Sequence, residues 1–202
     1  MPSSPPGADK RTLNPETLEK LRRTILELFS EALFQDVGIR AICKQAKVSP
    51  QTVYKYFGNK EEMLYACIRQ DMDRLNDTAF RATLKTRNAV EKNVRFLDTW
   101  CEFYFAHPSM ARIVFLNIPQ AYWVGDRQFI QLNVHRASQH TLQKGQDRGE
   151  VWDGASPDLM GQALMGMAHR LMVRWLLDDT VSAETTKATL IALTRKLLRG
   201  GS

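Results

Sequence analysis

The stretch "VSPQTVYKYFGNKEEM", Val48–Met63, decides the fold. Ser49-Pro50 is a helix start: the serine hydroxyl can accept from a free first-turn N–H, and proline has no N–H to leave unpaired. Gly58 stops that helix. Asn59 caps another at once, with Glu62 three residues on as its capping-box partner. At about 100° per residue, Val53 and Phe57 face inward. Gln51 and Lys55 point most nearly outward, Thr52 and Tyr54 lie to either side, and Tyr56 sits on the flank. Such an outward set of amide, hydroxyl, phenol and ammonium groups can donate to both base edges and phosphates. The first turn carries no acid, so the positive end of the helix dipole is left uncompensated. The same pattern also fits two half-buried packing tyrosines beside solvated lysines.

Upstream, Asn14-Pro15-Glu16 opens a helix over 15–34, with Leu18, Leu21, Ile25, Leu28, Phe29 and Ala32 at three- and four-residue spacing. Gly38 precedes a short helix over 39–46 with Ile42 and Ala46 inward, and Lys47-Val48 makes a tight turn into Ser49. Three short helices joined in this way match helix-turn-helix geometry. Downstream, Leu64, Cys67 or Ile68, Met72 and Leu75 stripe a long helix. Helices follow over 88–106 (Val90, Val94, Leu97, Cys101, Tyr104 inward), 109–117, 127–147, 157–178 and 183–198. His107-Pro108 separates the first two of these, and a loop around Pro119–Asp126 comes before the third. No alternating pattern competes, so the chain reads as all-α with about nine helices. It divides into a disordered tail, 1–13, a helix-turn-helix unit, 14–60, and a larger helical part, 61–202.

The net charge is +6 and the pI about 9.3, which permits nucleic acid as a partner without demanding it. Residues 1–60 contribute +4 of that charge. Val37–Lys60 holds five basic residues (Arg40, Lys44, Lys47, Lys55, Lys60) and no acid. Cys43, Cys67 and Cys101 are far apart and form no CxxC pair, which suits buried thiols in a reducing cytoplasm. No apolar leader opens the chain, and no run of about 18 apolar residues would span a membrane. No nucleophile, paired-acid, metal or nucleotide-loop motif points to an enzyme or a cofactor. His135 and His140 are badly spaced for a shared metal and read as surface residues.

The run "IRAICKQAKVSPQTVYKYFGNKEEML" resembles the DNA-binding domain of the tetracycline-repressor (TetR) family of bacterial transcriptional regulators. The likeness covers about residues 15–65. It lies in the Val-Ser turn, the Thr-x-Tyr-x-Tyr-Phe recognition helix and the Asn-Lys-Glu-Glu start of the next helix. It implies that the third helix enters the major groove of a palindromic double-stranded operator. Gln51, Thr52 and Lys55 would then read bases, with Pro50 and Tyr54 near the groove wall. Arg40, Tyr56 and Lys60 would bind phosphates, and Ser49 would cap the helix and touch the backbone. Two departures stand out. Gly38 replaces the usual hydroxyl cap. Lys47 replaces the usual turn glycine, where a left-handed conformation costs about 1 kcal/mol.

The resemblance further implies a repressor released by a small molecule and a homodimer formed through the last two helices. Leu159, Ala163, Met167, Leu171 and Trp175 stripe one of these helices, and Ile191 and Leu198 the other; such stripes serve equally to close a monomer's own core. Trp100, Tyr104, Phe105, Phe115, Tyr122, Trp123, Met165 and His169 are the candidate lining of a hydrophobic or aromatic ligand's pocket. Two other readings fit the pattern. One is a small-molecule carrier or scaffold that keeps the fold without operator binding. The other is a DNA-binding regulator controlled by a protein partner.

Overall fold

The computed structural model describes residues 13–119 and 132–200. These residues form nine helices and no strand: α1 Pro15–Glu31, α2 Ile39–Ala46, α3 Pro50–Phe57, α4 Lys60–Thr83, α5 Ala89–Ala106, α6 Pro108–Arg112, α7 Leu132–Asp147, α8 Pro157–Leu177 and α9 Ala183–Arg199. The expected tail, the loop with Tyr122 and Trp123, and the first residues of the seventh expected helix lie outside the described residues.

Local chemistry sets the helix ends. The side chains of Asn14, Ser49, Asn59, Asn88, Ser156 and Ser182 each accept a first-turn N–H. The capping box at α4 is incomplete: Glu62 receives its bond from the Asn59 side-chain amide at 3.3 Å, while the Asn59 backbone N–H goes to Phe57 O. α1 stops three residues earlier than its pattern suggests, because Ala32 is extended. Leu18, taken as inward, is also half exposed. Lys47 is left-handed (φ 55°, ψ 44°), and the Val48 N–H returns to Cys43 O at 3.0 Å. Gly58 has φ 75°, a conformation that strains other residues, and its N–H closes on Tyr54 O. α6 continues directly into one π-type turn, Ile113–Asn117, and Ile118 N–H donates to Ile113 O at 3.0 Å.

α1 packs against α2, α4 and α6, while α5 lies between α4 and α9 and also meets α7. Arg22 of α1 pairs with Asp71 of α4 at 2.5 Å, and Arg195 of α9 holds Glu91 of α5 through two bonds of 3.0 and 2.9 Å. One buried cluster runs without interruption from Leu21, Ile25 and Phe29 of α1, through Val53, Phe57, Leu64 and Ile68, to Trp100, Tyr104, Phe115, Met172 and Leu190. The first three helices therefore share a core with the larger part of the chain. A smaller cluster joins Ala89, Val90, Leu142, Val151, Met160 and Leu198. Gly145 is required there: a Cβ would sit 2.6 Å from Ala89 Cβ and 2.5 Å from a Val151 methyl.

The apolar stripes of α8 and α9 divide between two uses. Met167, Leu171 and Trp175 pack against the main core, and Leu198 is fully buried. All four thus contribute to the monomer's own core, Met167, Leu171 and Trp175 while only partly buried. Leu159 and Ala163 do face outward, joined by Gly166, Arg170 and Leu177 on α8 and by Leu193 on α9.

Candidate DNA-contacting surface and ligand cavity

α3 is seated by two side chains. Val53 is wholly buried and Phe57 nearly so. This turns Pro50, Gln51, Tyr54 and Lys55 outward, all exposed, with Thr52 and Tyr56 half-buried at the edges. Ser49 Oγ accepts the Thr52 N–H at 3.1 Å and lies 2.8 Å from Thr52 Oγ1. If Ser49 donates across that second contact, the Thr52 hydroxyl proton stays free to donate outward. Lys55 Nζ sits 5.7 Å from the Tyr56 ring centroid, a weak cation–π contact that holds ammonium and phenol side by side. Arg40, in the first turn of α2, and Ser49, the cap of α3, are both exposed.

Lys60 departs from expectation. Its ammonium donates to Phe34 O and, at 2.9 Å, to Val37 O. It also lies 3.6 Å from the Phe34 ring centroid, and burial lowers its pKa. Two of its three protons are thus committed to the α1–α2 turn. Lys60 is placed as a clamp between that turn and the start of α4. We expect Lys60→Met to lower unfolding free energy by about 1–3 kcal/mol, because two carbonyls lose a charged donor. The salt dependence of DNA binding should stay unchanged; a phosphate-binding lysine would instead reduce the log–log salt slope by about one at constant stability.

The second feature is a cavity of about 670 Å³ between α4, α5, the π turn, α7 and α8. Five of the eight expected pocket residues line it: Trp100, Tyr104, Phe115, Met165 and His169. Phe105 does not. It points to the other side of α5 and packs edge-on against Trp175, ring centroids 4.7 Å apart. Tyr122 and Trp123 lie outside the described residues. His135, read as a surface residue, lines the cavity and pairs with Asp158 at 3.1 Å. The sequence reading also missed Asn76, Phe80, Phe96, Lys92, Ser138 and Gln162; their three- and four-residue spacing is no different from ordinary core or surface.

The cavity is graded along its length. At one end Trp100, Tyr104 and Phe115 meet edge to face, with centroids 4.8, 5.4 and 4.9 Å apart, beside Met72, Val114 and His169. At the other lie Thr83, Lys92, Asn93, Ser138, Thr141 and Gln162. Lys92 and Tyr104 are twelve residues apart on α5, or about 18 Å at the helical rise. The space is long, apolar at one end and polar at the other, with Lys92 the one lysine or arginine among the described lining residues.

His169 stands at the aromatic end. Its ring faces Phe115 at 5.5 Å, burial lowers its pKa, and a bond to the Phe115 backbone opposes that shift in part. Folding therefore favours the neutral imidazole. The unfolded chain takes up a proton near pH 6.5, before the folded one does, so stability is fully present above that pH and declines as pH falls below it. We expect the drop in unfolding free energy between about pH 8 and pH 5 to be smaller in His169→Gln than in the unsubstituted protein. Urea titrations at the two pH values measure it.

A helix-turn-helix with an acid-free outer face, carried on a helical bundle with an internal cavity open to one side, defines a class of two-part helical proteins. Residues 21–67 match the family described as bacterial regulatory proteins, tetR family. It is 33% identical to the HTH-type transcriptional regulator UidR of Escherichia coli over 86 residues, 43% of this chain; the match spans only 40% of UidR. It is 24% identical to the fatty acid metabolism regulator protein of Bacillus subtilis over 179 residues, covering 86% of this chain and 87% of that one. Its fold is similar to that of FadR from Bacillus subtilis, solved in complex with stearoyl-CoA. There the TM-score is 0.72 at 21% identity, over 91% of this chain and 98% of that one.

Proposed function

We propose that this protein is a cytoplasmic, non-enzymatic transcriptional repressor that leaves its operator when an amphiphile of the acyl-CoA type fills the cavity. One observation carries the reading: α4 serves both parts. Its first turn follows α3 directly and, through Lys60, clamps the α1–α2 turn. Its Met72–Thr83 stretch lines the cavity. Residues 14–60 would contact DNA: Gln51, Thr52 and Lys55 read bases, with Pro50 and Tyr54 at the groove wall. Arg40, Ser49 and Tyr56 contact the backbone. Residues 61–202 would bind the effector and pair two copies. The likeness to a FadR solved with stearoyl-CoA supports an acyl-CoA, and the cavity's grading supports its orientation, acyl chain at the aromatic end and head near Lys92.

The outward faces of α8 and α9, with Leu159, Ala163, Gly166, Leu177 and Leu193, would form a two-fold four-helix contact, as a palindromic site requires. Both α4 and α6 rest on α1. A chain wedged between Met72 and Phe115 would shift these supports and change the separation of the two α3 helices from the spacing of about 34 Å that successive grooves demand. Fragments selected from the organism's genomic DNA would supply the operator. The reading requires steeply salt-dependent binding to it, with release by stearoyl-CoA.

Gly161 offers a specific check. A Cβ there has Ser138 Oγ, at 3.9 Å, as its nearest neighbour, so a leucine has room to enter the cavity. Overpacking costs about 1–3 kcal/mol, so Gly161→Leu is expected to weaken stearoyl-CoA binding by about tenfold or more. DNA affinity without ligand should be unchanged. Calorimetry and a gel shift on the same preparation measure both.

A further inference from the structure

We propose that the effector carries an uncharged hydroxyl on the part that reaches the aromatic end of the cavity, held between the Tyr104 phenol and the His169 imidazole. This rests on reading the cavity as the effector site. Tyr104 is fully buried, and its hydroxyl donates to Met72 Sδ at 3.1 Å. A thioether is a weak acceptor, so that proton is poorly used. His169 Nε2 is buried and has no hydrogen-bond partner among the described residues. The Phe115 backbone lies within interaction range of the same ring; with the ring proton turned toward that backbone, Nε2 carries a bare lone pair. The two rings flank the same phenylalanine, at 4.9 and 5.5 Å, and both line the one cavity with Met72.

A strong donor with a weak acceptor and an acceptor with no donor thus lie buried behind the aromatic end of the pocket, where a ligand hydroxyl reaches them by displacing the Met72 thioether. A plain methylene chain satisfies neither group and leaves Nε2 desolvated without return. A carboxylate would set its negative oxygens against the Nε2 lone pair. A hydroxyl serves both: it accepts from Tyr104 in place of Met72 and donates to Nε2. Sites built around such a bond discriminate strongly against the analogue lacking it.

Two matched pairs of probes test this by calorimetry. One is dodecanoic against 12-hydroxydodecanoic acid; the other is 8-phenyloctanoic against 8-(4-hydroxyphenyl)octanoic acid. They separate an alkanol from a phenol. In at least one pair the hydroxylated member should bind about tenfold tighter or better. Tyr104→Phe and His169→Leu should each abolish that preference, read as the ratio of the two affinities within a pair, whatever either change does to the affinity for the unsubstituted acid. Tyr104→Phe keeps the ring packing and removes only a thioether-bonded hydroxyl, so it reports even if His169→Leu fails to fold. Equal or weaker binding of both hydroxylated probes overturns the proposal and leaves the amphiphile reading standing. Failure of all four acids to bind overturns both.

Discussion

Removing the Gln51 amide and the Lys55 ammonium together is expected to reduce operator affinity by about 30- to 10⁴-fold, since each good base contact is worth about 1–3 kcal/mol. Both side chains are exposed, and Lys55 makes only a loose contact with Tyr56, so the double alanine variant should fold as the parent does. Binding to unrelated duplex should fall far less, because Arg40 and Tyr56 remain for the phosphates. A gel shift on operator and unrelated DNA in parallel separates the two terms. Equal losses on both would move Gln51 and Lys55 from base reading to backbone contact; no loss on either would remove α3's outer face from the interface.

Phe29→Ala is expected to cost about 3–5 kcal/mol, a large share of the 5–15 kcal/mol typical of a folded domain. Phe29 is wholly buried and stacks on Phe34, centroids 6.5 Å apart, and Phe34 lies beneath the Lys60 ammonium. The loss therefore falls where α1, the α1–α2 turn and α4 meet. Because the core continues from there into α5, the π turn and α8, the variant should still melt in one transition at lower temperature. A separate early transition confined to the first three helices would show that the core divides at α4.

The helix-turn-helix part was legible in sequence because its geometry is written in local chemistry. Ser49-Pro50, Gly58 and Asn59 set the ends of α3 and the start of α4 through bonds spanning two to four residues, and Val53 and Phe57 fix which face of α3 remains outside. Lys47 is left-handed as its place in the turn required. The clamp made by Lys60 was not legible because its partners, Phe34 O and Val37 O, lie 26 and 23 residues away, and a lysine in a basic window looks the same whichever way it turns. The cavity was partly legible for a related reason. Aromatic residues on α5 announced a soft interior, but periodicity cannot say which element an apolar face meets. Phe105 met Trp175, His135 turned toward the space between α7 and α8, and Met167, Leu171 and Trp175 closed the monomer's core.

The central claim is that the cavity and α3 are coupled. Fluorescence anisotropy of a labelled operator duplex, selected from genomic fragments and titrated with stearoyl-CoA while calorimetry follows ligand uptake, tests it directly. The account predicts that the duplex is released over the concentration range in which the ligand binds. Saturation of the protein with stearoyl-CoA at unchanged operator affinity would contradict it.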